Sequence, residues 1–339
     1  MSAAGLRPGG PDTESRSPGT DRRMLAFGPV PSRRFGRSLG VNNIPPKRCS
    51  YSCIYCQLGP TASIRIRRRP FVRVEDLVRA VEERVAACSA GEGAVDYITV
   101  VPDGEPTLDV WLGPEIRALK KLGIRIAVIT NGSLLWRPKV RSALAEADVV
   151  SVKVDATERL PWRRINRPGR QLRLPTILEG LETFARSFSG EVWTETMLVR
   201  GVNDDVQELE RLAMFLERVE PVRAYVALPT RPPAVSDVRA PPARSIVEAL
   251  ELFESHLPAV HLLAGKEHGM FGHGSDPAED LLGILAVHPM PEGAAREYLE
   301  DVEADPAILD ELLASERAAR VVYRGDTFLV GRWRGAPPR

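Results

Sequence analysis

From about residue 94 the chain alternates short apolar runs with longer stretches of helical spacing. Tyr97-Ile98-Thr99-Val100-Val101 is a continuous apolar, β-branched run, the pattern of a strand covered on both faces. Residues 112–122 then read as helix, 124–130 as strand, 137–146 as helix and 149–155 as strand. The alternation goes on with helix 175–186, strand 191–199, helix 205–218, strand 223–228, helix 244–255 and a last strand at 259–263. Upstream, Leu77, Val81 and Val85 recur at helical spacing within residues 74–87, with Glu75 and Asp76 in the first turn where the helix dipole favours acids. This is a first crossover helix, and Cys88 at its end reads as a buried or half-buried thiol. Strands that alternate with helices and end in polar turns imply a parallel sheet with its functional groups at the carboxyl ends of the strands. About six such units suit a partial (βα) barrel better than a flat doubly wound sheet, although periodicity alone leaves both open. No Gly-x-Gly-x-x-Gly follows the first strand, which argues against a dinucleotide fold.

Both ends depart from this rhythm. Residues 1–23 are rich in Gly, Pro, Ser and Arg and read as disordered, with Met24 as an alternative start. Residues 27–41 are punctuated by Gly and Pro, too irregular for a helix, and carry Arg33, Arg34 and Arg37. Ile64-Arg65-Ile66-Arg67-Arg68-Arg69 alternates as a short extended segment with one charged face. Two basic runs that flank one loop favour an anionic partner over mere solvation. Beyond the glycine-rich linker 269–274, residues 279–287, 292–299 and 307–313 read as short helices, the last with Asp305 as N-cap and Pro306 at its first position. Residues 321–323 and 327–330 flank Arg324-Gly325-Asp326 as a hairpin. Three helices and a hairpin make a winged-helix-like α+β module over 276–333. Its acidic middle, from Glu300, Asp301, Glu303, Asp305, Asp310 and Glu311, has the wrong sign for phosphate and points to packing or protein contact.

Composition narrows the class. The 339 residues are 43% hydrophobic with net charge +1, enough for a packed core and too balanced for a global field towards nucleic acid or membrane. No apolar run reaches membrane-spanning length and the start has no signal-peptide core, so no membrane association is expected. Four cysteines, three of them clustered, indicate a reducing compartment, the cytoplasm.

Those three define the chemistry. Cys49, Cys53 and Cys56 stand in a Cys-x3-Cys-x2-Cys loop that follows Pro45 and Pro46. Structural zinc wants four closed ligands, and no second cysteine pair or nearby His supplies the rest. An iron–sulfur cubane held by three thiolates keeps one iron open to a non-protein ligand. This spacing, with the aromatic Tyr55 just before the third cysteine, resembles the signature of the radical S-adenosylmethionine (SAM) superfamily. The resemblance implies a [4Fe-4S] cluster on Cys49, Cys53 and Cys56 with the methionine end of SAM on the open iron. It also selects the partial (βα)6 barrel, as a core over residues 24–268.

Further motifs extend the likeness. Asp103-Gly104-Glu105-Pro106-Thr107 corresponds to the superfamily's Gly-Gly-Glu strand end, with Asp103 in place of the first Gly. There the turn and carboxylate are implied to hold the SAM ammonium, so Gly104, Glu105, Pro106 and Thr107 become cofactor contacts, and Asn131 in Thr130-Asn131-Gly132 is another. Ser151, Lys153 and Asp155 alternate on one face of a strand whose end the family turns to the ribose and carboxylate of SAM. Pro31-Ser32-Arg33-Arg34, Ile165-Asn166-Arg167-Pro168 and Leu228-Pro229-Thr230-Arg231 resemble a bacterial and archaeal group related to the tRNA wybutosine-synthesising enzyme. Within these stretches Arg33, Arg34, Arg167 and Arg231 are the candidate contacts to an anionic substrate. The implied activity is reductive cleavage of SAM to a 5′-deoxyadenosyl radical, fed by an external one-electron donor of flavodoxin or ferredoxin type. For the substrate, tRNA competes with a peptide or protein, as in a maturase or glycyl-radical activating enzyme. A non-catalytic iron–sulfur sensor is a third reading, disfavoured because a sensor needs no Glu105, Lys153 or Asp155.

Overall fold

The computed structural model describes residues 25–89, 94–264 and 276–332; the segment 1–23, Met24 and the linker 269–274 lie outside the described residues. The chain enters through β1 (Ala26–Ser32), antiparallel to β2 (Gly36–Val41). From β2 onward, strands and helices alternate as six units. The first joins β2 to α1 (Val74–Ser89) through a long connection holding β3 (Arg48–Cys49) and β4 (Ser63–Ile64), which pair in parallel. Next come β5 (Tyr97–Val100) with α2 (Leu112–Leu119), β6 (Arg125–Thr130) with α3 (Pro138–Leu144), and β7 (Val149–Lys153) with α4 (Arg159–Asn166) and α5 (Leu174–Ser187). β8 (Glu191–Met197) with α6 (Val206–Val219) and β9 (Arg223–Ala227) with α7 (Ala243–His256) complete the set, and β10 (Val260–Leu263) closes it. The sheet order β1-β2-β5-β6-β7-β8-β9-β10 is sequential, and every pairing after the first is parallel. This is the open, curled half-barrel expected.

Strand alternation sorts the side chains into two environments. One phase, with Ile98, Val100, Ile126, Val128, Val150 and Val152, packs in a continuous core with Leu112, Ile116 and Leu119 of α2 and Leu209, Leu212 and Leu216 of α6. The spacing of these helix residues is the apolar stripe that made them legible. The opposite phase forms a separate cluster inside the curl from Phe35, Ala127, Val149, Trp193 and Tyr225. Phe35 stacks on Trp193 with centroids 5.0 Å apart and planes 10° from parallel. Because these residues sit at or near the amino ends of their strands, they plug one end of the half-barrel and leave polar residues to line the other.

Four features differ from the sequence reading. β2, taken as irregular, is the first parallel strand: its glycines mask the apolar pattern, and Gly40 is required because a Cβ there would lie 2.0 Å from Cζ of Phe27. α4 was unmarked because only Trp162, Ile165 and Asn166 of its eight residues are buried, in a run full of arginines. In the basic extended segment only Ile64 joins a strand. α10 (Ala307–Ala314) starts one residue late: Pro306 precedes it, and Asp305 accepts the N–H of Ala307 at 2.8 Å.

The C-terminal residues run α8 (Pro277–Val287), β11 (Met290–Pro291), α9 (Glu292–Asp301), α10, then the hairpin β12 (Ala318–Tyr323) and β13 (Asp326–Gly331). The two-residue β11 completes an antiparallel sheet of order β11-β13-β12, as a winged-helix-like arrangement requires. Leu281, Ile284, Tyr298, Leu299, Leu309 and Leu329 form its own core, with Val30 of β1 packed against it. Arg84 of α1 ion-pairs with Asp280 of α8 and donates to the Gly28 carbonyl at 2.5 Å, so α8 covers the antiparallel edge of the main sheet. Among the described residues no helix is long and apolar enough to cross a membrane.

Truncating Phe253 of α7, fully buried between helix and sheet, removes an aromatic volume the core cannot refill. The Phe253→Ala protein is expected to lose about 3–5 kcal/mol in urea unfolding. Met214→Ala on the exposed face of α6, 50% exposed, is expected to stay within about 0.5 kcal/mol of the parent.

Candidate functional site

The connection after β2 crosses the carboxyl ends of the parallel strands, and its sulfurs are fixed from both sides. Asn131, just past β6, donates through Nδ2 to Sγ of Cys49 at 3.4 Å and to Oγ of Ser50 at 2.9 Å. Asn166, the last residue of α4, donates through Nδ2 to Sγ of Cys53 at 3.4 Å and to Oδ2 of Asp155 at 2.6 Å. The backbone is pinned as well: Ser52 N–H meets the carbonyl of Asn166 at 3.0 Å and Ile54 N–H that of Ile165 at 2.9 Å. Cys49, Cys53 and Cys56 are half-buried and free of disulfides. Burial, with the Glu105 charge added, pushes the Cys49 thiol well above its ordinary range. Burial and the Asp155 charge push the Cys53 thiol up to about 12. Such a loop favours neutral thiols by itself, and a bound cation reverses that preference and takes thiolates. Among the described residues no three His, Cys, Asp or Glu side chains are laid out to hold a single metal ion. The donor set of three cysteines and two amide groups directed at sulfur fits a polynuclear thiolate centre better than tetrahedral zinc.

Two buried carboxylates hold the walls of this mouth. Glu105, 1% exposed, fixes the 3₁₀ turn Pro106–Leu108. Its Oε1 accepts from Thr107 N–H at 3.0 Å, Thr107 hydroxyl at 2.5 Å and Thr130 hydroxyl at 2.7 Å, and its Oε2 accepts Asn131 N–H at 2.8 Å. It thereby ties the end of β5 to the end of β6. Burial pushes its carboxyl upward while these four donors oppose the shift. Gly104 pairs with Arg48 across a bridge, and a Cβ there would sit 1.8 Å from the Arg48 carbonyl oxygen, so only glycine lets the turn meet the cysteine loop. Asp155 does the same job opposite. Its Oδ2 accepts the hydroxyl of Tyr55 at 2.5 Å as well as Asn166, and its Oδ1 accepts Met197 N–H at 2.9 Å.

Between them lies a compact charge cluster in the inward strand phase. Glu195 of β8 takes an ion pair from Arg34 on one oxygen and from Lys153 on the other. Arg34 also donates to the Ser151 hydroxyl at 3.3 Å. Burial works against the Glu195 charge, but Arg34, Lys153 and Arg33 outweigh it and hold its carboxyl down at about 2. The Lys153 ammonium lies 5.6 Å from the centroid of the Tyr55 ring, which links the cluster to the cysteine loop. Two cations thus share this one anion, with Glu105 and Asp155 on the walls beside them.

The sequence profile of the radical SAM superfamily matches residues 43–213, just over half of the chain. A UPF0026 protein of Methanocaldococcus jannaschii is 39% identical over 308 residues, 90% of this chain and 95% of that protein. The chain belongs to the radical SAM superfamily. A UPF0026 protein of Helicobacter pylori strain 26695 is 36% identical over 220 residues, 64% of this chain and 69% of its own. Among solved structures, TYW1 with a lysine–pyruvate adduct bound aligns with a TM-score of 0.51 over 65% of this chain and 74% of that one, at 19% identity, a likeness of fold. This radical SAM protein is therefore an enzyme of a family that uses a [4Fe-4S] cluster and SAM.

Most of the expected site residues meet at one mouth: Cys49, Cys53, Tyr55 and Cys56 on the loop, Gly104, Glu105, Asn131 and Asp155 bonded to it, Pro106 and Thr107 in the turn that Glu105 fixes, and Ser151, Lys153 and Arg34 just inside. Two arginines go elsewhere. Arg231 joins Gln57 of the loop at 2.9 Å to His288 past α8 at 2.8 Å, and Arg167 lies at the left-handed end of α4 on an outer cleft. Of the flanking basic run, Arg68 is spent on the Thr107 and Asp109 carbonyls at 2.7 and 2.6 Å. Glu195 and Asn166 were missed. Glu195 had a signal, since it alternates with Trp193 and Met197 in a stretch, residues 192–197, whose other positions are apolar or Thr; Asn166 had none beyond its place in a short motif.

Asp103 behaves unlike the glycine it stands for. It is 2% exposed, and among the described residues neither carboxylate oxygen has a hydrogen-bond partner. Burial pushes its carboxyl up to about 7, against the pull of Lys47. A carboxyl raised in the folded state stabilises the fold below its unfolded value and loses that contribution as pH climbs through the raised one. Relative to Asp103→Asn, the parent is therefore expected to lose urea stability steadily from about pH 4 to about pH 7 and to stay lower at pH 8. A difference that is constant across that range contradicts this.

Proposed function

We propose that this radical SAM enzyme holds its [4Fe-4S] cluster on Cys49, Cys53 and Cys56, binds SAM at the adjoining turns, and acts on an anionic substrate, with tRNA the foremost candidate. The observation that carries the proposal is the double amide clamp: Asn131 and Asn166, anchored by Glu105 and Asp155, each reach a cysteine sulfur. Held by these residues, the cluster and SAM would supply one-electron reductive cleavage and the radical chemistry that takes a hydrogen from substrate.

The chain's residues contribute position, charge and dryness. Gly104, Glu105, Pro106 and Thr107 shape the wall nearest Cys49, and Oε2 of Glu105, with a single protein donor, keeps acceptor capacity for an ammonium. Asn131 belongs to that same wall, and Tyr55 and Asp155 fix the opposite approach. Lys153 and Ser151 offer a cation and a hydroxyl towards the cofactor, with Glu195 holding the Lys153 ammonium in place. Arg34, with the exposed Arg33 beside it in the turn between β1 and β2, adds cations to the Glu195 cluster, which supports an anionic substrate. The aromatic plug of Phe35, Trp193 and Tyr225 closes the far end to water. The cations Lys153 and Arg34 within the mouth favour tRNA over a neutral peptide. The electron comes from outside, from a flavodoxin- or ferredoxin-type donor.

Anaerobic reconstitution with iron and sulfide, followed by dithionite and SAM, is expected to release 5′-deoxyadenosine. Cys53→Ser is expected to lose the cluster absorbance and at least about 100-fold of that release, while Arg34→Ala keeps both and weakens salt-sensitive retention on tRNA. A fully loaded parent that releases no 5′-deoxyadenosine overturns the proposal, and release without any retention on tRNA overturns its substrate half.

A further inference from the structure

A second feature faces away from the barrel interior. On the outer side of the cysteine loop, Ile54, Val199 and Val238 form the floor of an open cleft, and Arg163, Arg164, Arg167 and Arg200 stand around it with a single acid, Asp237. The floor belongs to a small apolar cluster, with Tyr55 and Ile165, against which Cys53 itself packs. Only that thin layer separates the cleft from the sulfurs. The last turn of α4 gives Arg163 and Arg164 an ordinary reason to exist, since cations suit a helix carboxyl end. It gives none for Arg200, which arrives on the loop after β8. Arg164 is occupied by the Gly201 carbonyl at 2.8 Å. Among the described residues, Arg163, Arg167 and Arg200 have no acidic partner.

We infer that this cleft is the docking face for an acidic one-electron carrier protein, which delivers its electron through the Ile54 side of the loop. The inference rests on the proposed cluster at Cys49, Cys53 and Cys56. An aliphatic centre with a charged rim is the anatomy of a protein contact, and a small, electrostatically steered patch suits a transient electron-transfer encounter. Nucleic acid fits less well, because among the described residues the cleft holds no aromatic ring for a base to stack on. Substrate, by contrast, is expected on the inner side, where Arg34 lies.

The test uses the cluster-loaded full chain and the double variant R163E/R200E, with an acidic flavodoxin and an acidic two-cluster ferredoxin as probes. The parent is expected to bind at least one carrier with an affinity that falls as salt rises, and the variant to bind it at least about 10-fold more weakly at low salt. Carrier-driven release of 5′-deoxyadenosine should fall in step, while iron content and dithionite-driven release match the parent. Unchanged carrier binding in the variant, no salt-sensitive binding of either carrier to the parent, or a variant that loses tRNA retention in place of carrier binding each overturns the inference. A parent that takes up no cluster, or is inert with dithionite, instead overturns the radical SAM assignment of the three cysteines.

Discussion

A carboxylate taken out of water must have its oxygens filled or it costs the fold several kcal/mol, and the active end of this half-barrel is built on two that are filled. Glu105 collects four donors from its own turn and from the end of β6; Asp155 collects three, from the cysteine loop, the end of α4 and the end of β8. Each acid spends its lone pairs on segments distant in sequence. Consequently the cysteine loop, which has almost no regular structure of its own, is held where two strand ends have already been fixed. Asn131 and Asn166 then carry that rigidity the last step, to sulfur.

The same economy explains the division between the two sides of the sheet. The helix-facing phase is aliphatic and needs no partners, so it supplies the bulk of the hydrophobic stabilisation. The inward phase is graded: aromatic at the amino ends, then Ser151, Glu195 and Lys153, then the mouth. Glu195 keeps two cations inside the curl that would otherwise repel each other. Lys153 and Arg34 are the cations that an anionic ligand would meet inside the mouth.

How much of this was legible in the chain follows from what each residue has to satisfy. Strands buried on both faces announce themselves as β-branched runs, and the helices between them as apolar stripes, so β5 to β10 and α1 to α7, except α4, could be read directly. β2 could not, because Gly40 is there to admit the ring of Phe27, and a residue chosen for its missing side chain leaves no hydrophobic signal. The cysteine spacing and the Gly104-Glu105 turn were readable because the chemistry fixes them locally. The Arg34–Glu195 pair was not, since 161 positions separate its members and only the curl of the sheet brings them together. Arg231 and Arg167 looked alike in sequence as arginines beside prolines. One ties the cysteine loop to the C-terminal helices and the other faces the outer cleft, a distinction set by tertiary contacts alone.

The central claim is that three thiolates on this loop leave one iron for the methionine end of SAM. Its most direct test is electron–nuclear double resonance on the reduced, anaerobically reconstituted protein, with SAM carrying nitrogen-15 at the methionine amine. The account predicts a hyperfine coupling between that nitrogen and the cluster, present in the parent and absent without SAM. A fully loaded cluster that shows no such coupling contradicts it.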